Sequence, residues 1–460
     1  MEFRQIYTPG LAHLSYLISG KTSCIVVDPA RDVSRYLQIA ETMQVPITAV
    51  ILTHLHADFI SGHIELAQIP EAEIFISKKA EAAFPHYGLS DGEEFKLDQF
   101  LIKMLETPGH TPESSVFAVS DLERGPVPTL IFSGDTLLVG DVGRPDLFPY
   151  IKEELALFLY HSLRRIEKLG DYLEVYPAHG AGSLCGKKLS AKLLSTIGTE
   201  RLYNGPLNIH PEEEFVRQLL LGMPEVPDYF SRCSRINRLG PALVSDLLKP
   251  KACDPREFLR LAINGCLVVD TRDPLPFCAA HIPGAYALSL KGNFATYAGW
   301  VLSQEKPLLL VVESKKDLEA ALSGLYSVGL DNIAGYLFGG MTTWAASGLK
   351  TAKIENISAE ELQVRLQTRE IILVDVRLKS EFDLAHIFGS IHVPAPDVRR
   401  RYWEWEDSDK PVAFICNTGS RSLLAASLML RYSRPKKVIN VMGGTEAWAK
   451  MGYPLVSTES

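Results

Sequence analysis

The second half of this 460-residue chain is written twice. VVDTRD (268–273) returns as LVDVRL (373–378), FCAAHIPGAYAL (277–288) as FDLAHIFGSIHV (382–393), and FGGMTTWAASG (338–348) as MGGTEAWAKMG (442–452). The offset is 105 residues for the first two pairs and 104 for the third. A period that long marks a duplicated domain, not a solenoid unit. In each copy short apolar runs (CLVVDT and LLLVV; IILVDV and VAFIC) alternate with helical stretches. That alternation predicts a parallel sheet flanked by helices. The copies span 255–351 and 356–460, and the Pro- and Gly-containing stretch 236–254 reads as a linker from a different domain over 1–235.

In that first domain YLISGKTSCIVVDPA predicts two strands around a Ser-Gly turn, and ITAVILTH a buried strand ending in histidine. EELALFLYHSLRRIEKLG (153–170) is an amphipathic helix with a glycine stop. Three distant segments then fall together: THLHADFISGH (53–63), TPGHTPES (107–114) and FSGDTLLVGDVGRPDL (132–147). They offer His54, His110 and Asp135, two imidazoles and a carboxylate. Such a triad with open positions suits non-heme Fe(II) that activates O₂. Zinc, which activates water but has no redox chemistry, fits the same donors. His63, His86, His161 and His210 read as core or surface residues.

These motifs resemble the metallo-β-lactamase superfold, and within it the persulfide dioxygenases, the ETHE1-like branch related to glyoxalase II. The resemblance covers residues 1–235. It implies an αββα sandwich with iron on His54, His110 and Asp135, one ion per chain. In binuclear relatives His56 joins the first metal, while Asp58, His179 and the residue at 59 hold a second. Here position 59 is Phe. His56, Asp58 and His179 are therefore expected to orient ligands or bind substrate by hydrogen bonds. Arg144 is expected near the substrate, where a guanidinium would suit a carboxylate or an anionic sulfur species; a surface or structural arginine is the other reading. Cys185, among the glycines of GAGSLCGK, is either a redox-sensitive or persulfide-accepting thiol or a buried core residue.

The second copy carries CNTGSRS (416–422) between an apolar strand and a helix. A thiolate there is close to backbone N–H groups, a helix N-terminus and Arg421, all of which favour an anion. The segment resembles the active loop of rhodaneses, sulfurtransferases with a cysteine persulfide intermediate, over residues 356–456. Cys416 and Arg421 are thus the expected catalytic pair, with Asn417, Thr418, Gly419, Ser420 and Ser422 binding substrate. A phosphatase of related fold would place one more residue between Cys and Arg. The first copy reads VVESKKDLEAA, and at an offset of 105 Cys416 falls on Val311 and Arg421 on Lys316. That copy is rhodanese-like but lacks the nucleophile.

As a whole the chain is a multidomain α/β protein. It resembles persulfide dioxygenase–rhodanese fusions of the CstB type, with two rhodanese-like domains bearing parallel sheets. The resemblance implies oxidation of a low-molecular-weight thiol persulfide (glutathione, coenzyme A or bacillithiol type) by Fe(II) and O₂, coupled to sulfite and thiosulfate through Cys416, and self-association into a homo-oligomer. A zinc-dependent, glyoxalase II-like thioester hydrolase with sulfurtransferase domains is the alternative enzyme, and a persulfide sensor or carrier the alternative outside catalysis. A net charge of −8 gives no footprint for nucleic acid or an anionic membrane. No apolar run approaches the roughly eighteen residues of a membrane span, and the N-terminus lacks a secretory pattern, so the cytoplasm is expected. Seven cysteines, irregularly spaced and without a C-x-x-C, argue against a disulfide framework or zinc knot as the organising device.

Overall fold

The computed structural model describes residues 2–433 and 437–458. It divides into two compact units, Met1–Leu247 with Leu325–Gly329, and Leu248–Gly324 with Leu330–Ser460.

The first unit is a sandwich of two six-stranded sheets. One runs in the order Glu2–Thr8, His13–Ser19, Cys24–Val27, Ile47–Ile51, Glu73–Ser77, Tyr87–Leu89. Its first three strands pair antiparallel and the rest parallel. The other runs Ser195–Thr196, Glu174–Pro177, Leu130–Gly134, Ser115–Asp121, Phe100–Glu106, Glu94–Leu97.

Period-two alternation assigns each side chain to a layer. Leu14, Tyr16, Ile18, Ile25, Val27, Ala49 and Ile51 meet Ile102, Met104, Phe117, Val119, Leu130 and Phe132 between the sheets. Their neighbours Leu17, Val26 and Val50 face outward onto Tyr36 and Ala40 of the helix Ser34–Met43. On the other side Val116, Ala118, Ile131 and Val175 face Ala156, Leu159 and Leu163 of the helix Lys152–Ile166. Both sheets are therefore apolar on both faces, which is what a helix–sheet–sheet–helix stack demands. The strands Ile47–Ile51 and Leu130–Gly134 each stop just before a motif residue, so two rigid strand ends carry His54 and Asp135.

The second unit holds two five-stranded, all-parallel sheets of the same topology. The first is ordered Lys251–Cys253, Ile333–Leu337, Leu308–Val311, Leu267–Asp270, Tyr286–Ala287; the second Glu355–Ile357, Val438–Val441, Val412–Ile415, Ile372–Asp375, Ile391–His392. All their pairings are parallel. Buried on both faces, the central strands LVVD and LLLV, ILVD and VAFI carry the continuous apolar runs seen in the sequence.

The stretch 236–254, read as a linker from its prolines and glycines, carries regular structure at both ends. Its first residues finish the helix Phe230–Leu239, and Lys251–Cys253 is already the edge strand of the first copy's sheet. Asp254 then caps the next helix, accepting from the Arg256 and Glu257 amides. Among the described residues no helix is long and apolar enough to cross a membrane.

Candidate metal centre and sulfur-transfer loop

His54, His110 and Asp135 converge in the first unit, one donor atom from each lying within 4.8 Å of the others. All three are buried. His54 Nε2 is 3.9 Å and His110 Nε2 3.4 Å from Asp135 Oδ2. Their outer nitrogens fix the tautomers. Thr53 Oγ1 donates to Asp28 Oδ2 at 2.8 Å, so its lone pair is left to accept from His54 Nδ1 at 3.0 Å. His110 Nδ1 donates to the Arg144 carbonyl at 2.8 Å. Both Nε2 atoms are thereby lone-pair donors, and neither has a hydrogen-bond partner. Burial, followed for His54 by neighbouring imidazoles, drives the pKa of both rings below the ordinary histidine range. Burial alone would raise the pKa of Asp135, but His179 outweighs it and keeps the carboxylate ionised. Two neutral imidazoles and a carboxylate with orphaned inner atoms fit a divalent cation, in a water-poor pocket where those atoms have no other partner.

His56, Asp58 and His179 form a second trio within the same distance of one another. His179 Nδ1 lies 2.8 and 2.9 Å from the two Asp135 oxygens, and its Nε2 is 2.9 Å from Asp58 Oδ2. Burial opposes protonation of His179, yet Asp135 and Asp58 together raise its pKa well above the usual value. His56 Nε2 approaches Asp28 at 3.3 Å. Phe59 is wholly buried, its ring 4.4 Å from that of His56, and it brings carbon where a further nitrogen would complete the trio.

Arg144 and Cys185 are both buried. Arg144 has four of its five guanidinium N–H groups engaged within the protein. It is paired to Asp146 through Nε and Nη2 at 2.7 and 2.8 Å, and Nη1 and Nη2 also donate to the Leu184 and Pro224 carbonyls. A guanidinium bonded in this way braces the loop whose carbonyl orients His110. Cys185 lies against the cluster, its sulfur within 4.8 Å of donor atoms of Asp135 and His179. It is buried, and burial, then Asp58, pushes its thiol up to about 12. A neutral thiol in that position is a poor nucleophile.

Sequence motifs missed four supports. Asp28, in a left-handed conformation (φ 49°), binds the Thr53 amide and hydroxyl. Buried Glu113 accepts from the Leu55 amide at 3.0 Å. Asn237 binds the His56 and Phe59 carbonyls and the Ser61 amide, closing the metal loop from a helix 176 residues on. His13 is fully buried with its ring 4.1 Å from Phe59. Glu113 lies in TPGHTPES with His110 and Asp28 ends the strand run of YLISGKTSCIVVDPA, while His13 and Asn237 are single residues in ordinary strand and helix context.

In the second unit Cys416 follows the strand Val412–Ile415, and the helix Ser420–Tyr432 starts four residues later. Its Sγ is buried and accepts from the Gly419 amide at 3.1 Å, while Ser422 Oγ lies at 3.5 Å and donates to Asn440. Gly419 holds φ 113°, and Gly444 packs so closely that a Cβ there would lie 2.0 Å from the Cys416 carbonyl. Thr418 is exposed.

Arg421 is held by a carboxylate of the same copy. Its Nη1 and Nη2 donate to both oxygens of Glu381 at 2.5 and 2.8 Å, and Asn417 Nδ2 donates to the same carboxylate at 2.9 Å. Burial works against ionised Glu381, but the bonded Arg421 more than offsets it and lowers its pKa.

The first copy's loop also differs from expectation. Asp270 pairs with Val311 and Asp375 with Ile415, so the next residue, Val312, occupies the place of Cys416. The glycine that abuts the Cys416 carbonyl has its counterpart in Gly340, which abuts the Val312 carbonyl. Helix starts at Lys315 and Ser420 keep Lys316 opposite Arg421. The first loop is one residue shorter, and an irregularity in the strand Ile333–Leu337 restores the register.

Residues 8–179 match the metallo-beta-lactamase superfamily, and residues 254–347 and 358–451 each match the rhodanese-like domain. The solved structure of a metallo-beta-lactamase from Staphylococcus aureus subsp. aureus COL is 31% identical, with a TM-score of 0.65, and the match covers 73% of this chain and 98% of that one. The chain belongs to the metallo-beta-lactamase superfamily. It joins an ETHE1-like domain of that superfamily to two rhodanese-like domains. The mitochondrial persulfide dioxygenase ETHE1 of Homo sapiens is 28% identical over 236 residues, 49% of this chain and 84% of that protein. The probable polyketide biosynthesis zinc-dependent hydrolase BaeB of Bacillus velezensis is 29% identical over 197 residues, 40% of this chain and 79% of that protein. Similarity to the persulfide dioxygenase, with the rhodanese-like domains, supports an enzyme of sulfur metabolism.

Proposed function

We propose that the protein oxidises a low-molecular-weight thiol persulfide to sulfite at a mononuclear iron site and moves sulfane sulfur through Cys416. The observation that carries the reading is the pair of unprotonated Nε2 atoms, on His54 and His110, facing the Asp135 carboxylate with nothing bonded to them. When bound there, Fe(II) supplies the redox chemistry that O₂ needs, with open positions for both substrates. The overall reaction is RSSH + O₂ + H₂O → RSH + SO₃²⁻ + 2 H⁺. The chain's own part is to hold the donors: Thr53 orients His54, the Arg144 carbonyl orients His110, and His179 holds both Asp135 oxygens. At Cys416 the thiolate attacks the outer sulfur of a second persulfide and displaces its thiolate, Cys–S⁻ + RSSH → Cys–SSH + RS⁻, and sulfite then removes that sulfur: Cys–SSH + SO₃²⁻ → Cys–SH + S₂O₃²⁻. Carrying both activities on one chain raises the effective concentration of sulfite for the second step.

A zinc hydrolase remains the second reading because His56, Asp58 and His179 still meet despite Phe59. One experiment separates the two. Anaerobically purified, iron-loaded protein is given glutathione persulfide while O₂, sulfite, thiosulfate and metal content are measured. O₂ uptake that vanishes in His110→Ala, with sulfite accumulating in Cys416→Ser, supports the dioxygenase. Two zinc ions per chain, no O₂ uptake and cleavage of a glutathione thioester would leave the hydrolase.

A further inference from the structure

A lone amide interrupts an apolar strand of the copy that carries the nucleophile. Val438, Ile439 and Val441 are buried, and among them Asn440 is only 1% exposed. An amide taken out of water there is costly unless its polar ends are bonded. Both ends are. Asn440 Oδ1 accepts from Ser422 Oγ at 2.7 Å, and its Nδ2 donates at 2.9 Å to Oδ1 of Asn356 on the neighbouring edge strand Glu355–Ile357. Ser422 Oγ, also buried, is in turn 3.5 Å from Cys416 Sγ. One chain of hydrogen bonds thus runs from the nucleophile to the edge of the sheet.

The direction of that chain can be reversed. With its proton given to Asn440, Ser422 turns a lone pair to the sulfur, which suits a neutral S–H and opposes a thiolate. A half-turn of both amides exchanges donor and acceptor at every link. Asn356 Nδ2 then donates to Asn440 Oδ1, Asn440 Nδ2 donates to Ser422 Oγ, and the Ser422 proton is free to point at Sγ. In the direction seen, Asn356 Nδ2 is buried without a partner. In the reverse direction its Oδ1 takes that place, so neither direction gains a bond over the other. The copy without a nucleophile has no such chain. Strand register puts Tyr336 in the place of Asn440 and Ala252 in that of Asn356. Asp317 takes the place of Ser422 and is tied to Ser314.

We propose that Asn440 and Asn356 are positioning residues of the Cys416 site, a reversible pair that lets the Ser422 hydroxyl turn its proton to Sγ when that sulfur carries negative charge. The proposal rests on the sulfurtransferase reading of Cys416. Charge develops there in both halves of a transfer. In the first, the thiolate attacks the outer sulfur of a donor such as thiosulfate, Cys–S⁻ + S₂O₃²⁻ → Cys–S–S⁻ + SO₃²⁻, and the electron pair of the broken S–S bond leaves with sulfite. In the second, an acceptor thiolate takes the outer sulfur, Cys–S–S⁻ + RS⁻ → Cys–S⁻ + RSS⁻, and the electron pair of the broken bond stays on Sγ.

The test uses the full chain with inorganic thiosulfate as donor and glutathione as acceptor. Asn356→Asp keeps the shape and the bond accepted from Asn440 but has no N–H to reverse with, so it locks the Ser422 proton away from the sulfur. A lost hydrogen bond to a charged group should lower kcat about five- to tenfold in Asn356→Asp, with KM for thiosulfate within about twofold. Asn356→Ala removes the bond to Asn440 but leaves Asn440 free to turn, and should cost less. An amide with a purely structural role would give the opposite order. A readout independent of turnover is the alkylation of Cys416 by neutral iodoacetamide, followed on its own peptide. That rate should fall in Asn356→Asp by a factor similar to the loss in kcat. Ser422→Ala controls for the charge of the new carboxylate: with no hydroxyl to lock, Asn356→Asp should cost nothing further in that background. Asn356→Ala as slow as Asn356→Asp or slower would overturn the proposal, as would an effect of Asn356→Asp that survives in full beside Ser422→Ala. Sulfur transfer that survives in Cys416→Ser would instead sink the sulfurtransferase reading, while the alkylation rates still decide the part played by the chain of amides.

Discussion

In both copies of the second unit an arginine reaches back to the last residue of a central strand. Arg272 pairs with Asp270 through Nε and Nη2 at 2.9 and 2.7 Å and also donates to the Ala280 carbonyl. Arg377 pairs with Asp375 at 2.9 and 2.6 Å and donates to the Ala385 carbonyl. His281 and His386 each donate to a phenylalanine carbonyl four residues back and stack on that ring. Trp344 and Trp448 each donate to a carbonyl six residues on. What differs lies at the loop and at the residue that holds its arginine: Val312 for Cys416, one residue fewer, Lys316 for Arg421, and Pro276 where the second copy has Glu381. The sequence patterns that repeat are those that hold the sheet together, so the fold and the chemistry are separable in this chain.

The largest expected effect tests that separation directly. Cys416→Ser should cut sulfur transfer on the order of 10³-fold or more, because it removes the nucleophile. Adding Val312→Cys should restore nothing, since the shorter first loop lacks a counterpart of Gly419 to bond the sulfur. Transfer regained in the double variant, assayed with thiosulfate, would show that the loop length is irrelevant. Next comes the shared frame. Removing one partner of a buried pair costs about 3–5 kcal/mol. Asp270→Asn and Asp375→Asn should therefore destabilise the second unit to a similar degree, read by urea unfolding. Asp375→Asn should also impair sulfur transfer at urea-free stability, because Arg377 faces Asn417 Oδ1 at 3.4 Å in the active loop.

The physics of these elements also decides what could be read in the sequence. Strand runs, the repeat and the ligand motifs are local patterns, and they located the sheets, His54, His110, Asp135 and Cys416. Register was harder: the first copy has one extra residue between Asp270 and Leu308 and loses one in the loop before Lys315, a pair of changes invisible to a constant spacing, so Val311 stood in for Val312. Partners far along the chain were invisible too. Glu381 is 40 residues from Arg421, and Asn237 and Asp28 approach the metal loops only because the sandwich folds them there. For Arg144 both readings stayed open, because a motif fixes where a long side chain begins, not where it ends.

A smaller effect sharpens the comparison at the glycines that follow the last strand of each sheet. Gly340 and Gly444 have nearly the same positive φ, 59° and 56°. Alanine at either should cost the strain of a left-handed residue, roughly 1–2 kcal/mol. Beyond that the sites diverge. A Cβ on Gly340 would meet the Val312 carbonyl oxygen at 3.1 Å, a contact that yields with a small shift. On Gly444 it would lie 2.0 Å from the Cys416 carbonyl oxygen and 2.4 Å from that of Asn417, both backbone atoms of the active loop. Gly444→Ala should thus displace the loop and lose sulfur transfer, whereas Gly340→Ala should lower stability and leave transfer near wild type. Equal activity in the two variants would mean that the loop tolerates movement.

The smallest effect concerns pH and singles out the first copy. Burial lowers the pKa of His281 below 6.5, against the raising influence of the Phe277 carbonyl that its Nδ1–H bonds. In the unfolded chain the same ring titrates near 6.5. Below that pH the unfolded state binds more protons than the folded one, so stability must rise with pH across the window and fall as the solution is acidified through about 6.5. Stability contributed by the neutral ring is fully present above that value. His281→Gln keeps an N–H for the Phe277 carbonyl but cannot titrate. Hydrogen exchange of peptides spanning 274–288, corrected for the intrinsic rate, should show faster opening at pH 5.5 than at 7.5 in the wild type, with the difference reduced in His281→Gln. An identical pH response in both proteins would assign the acid sensitivity of this copy to another group.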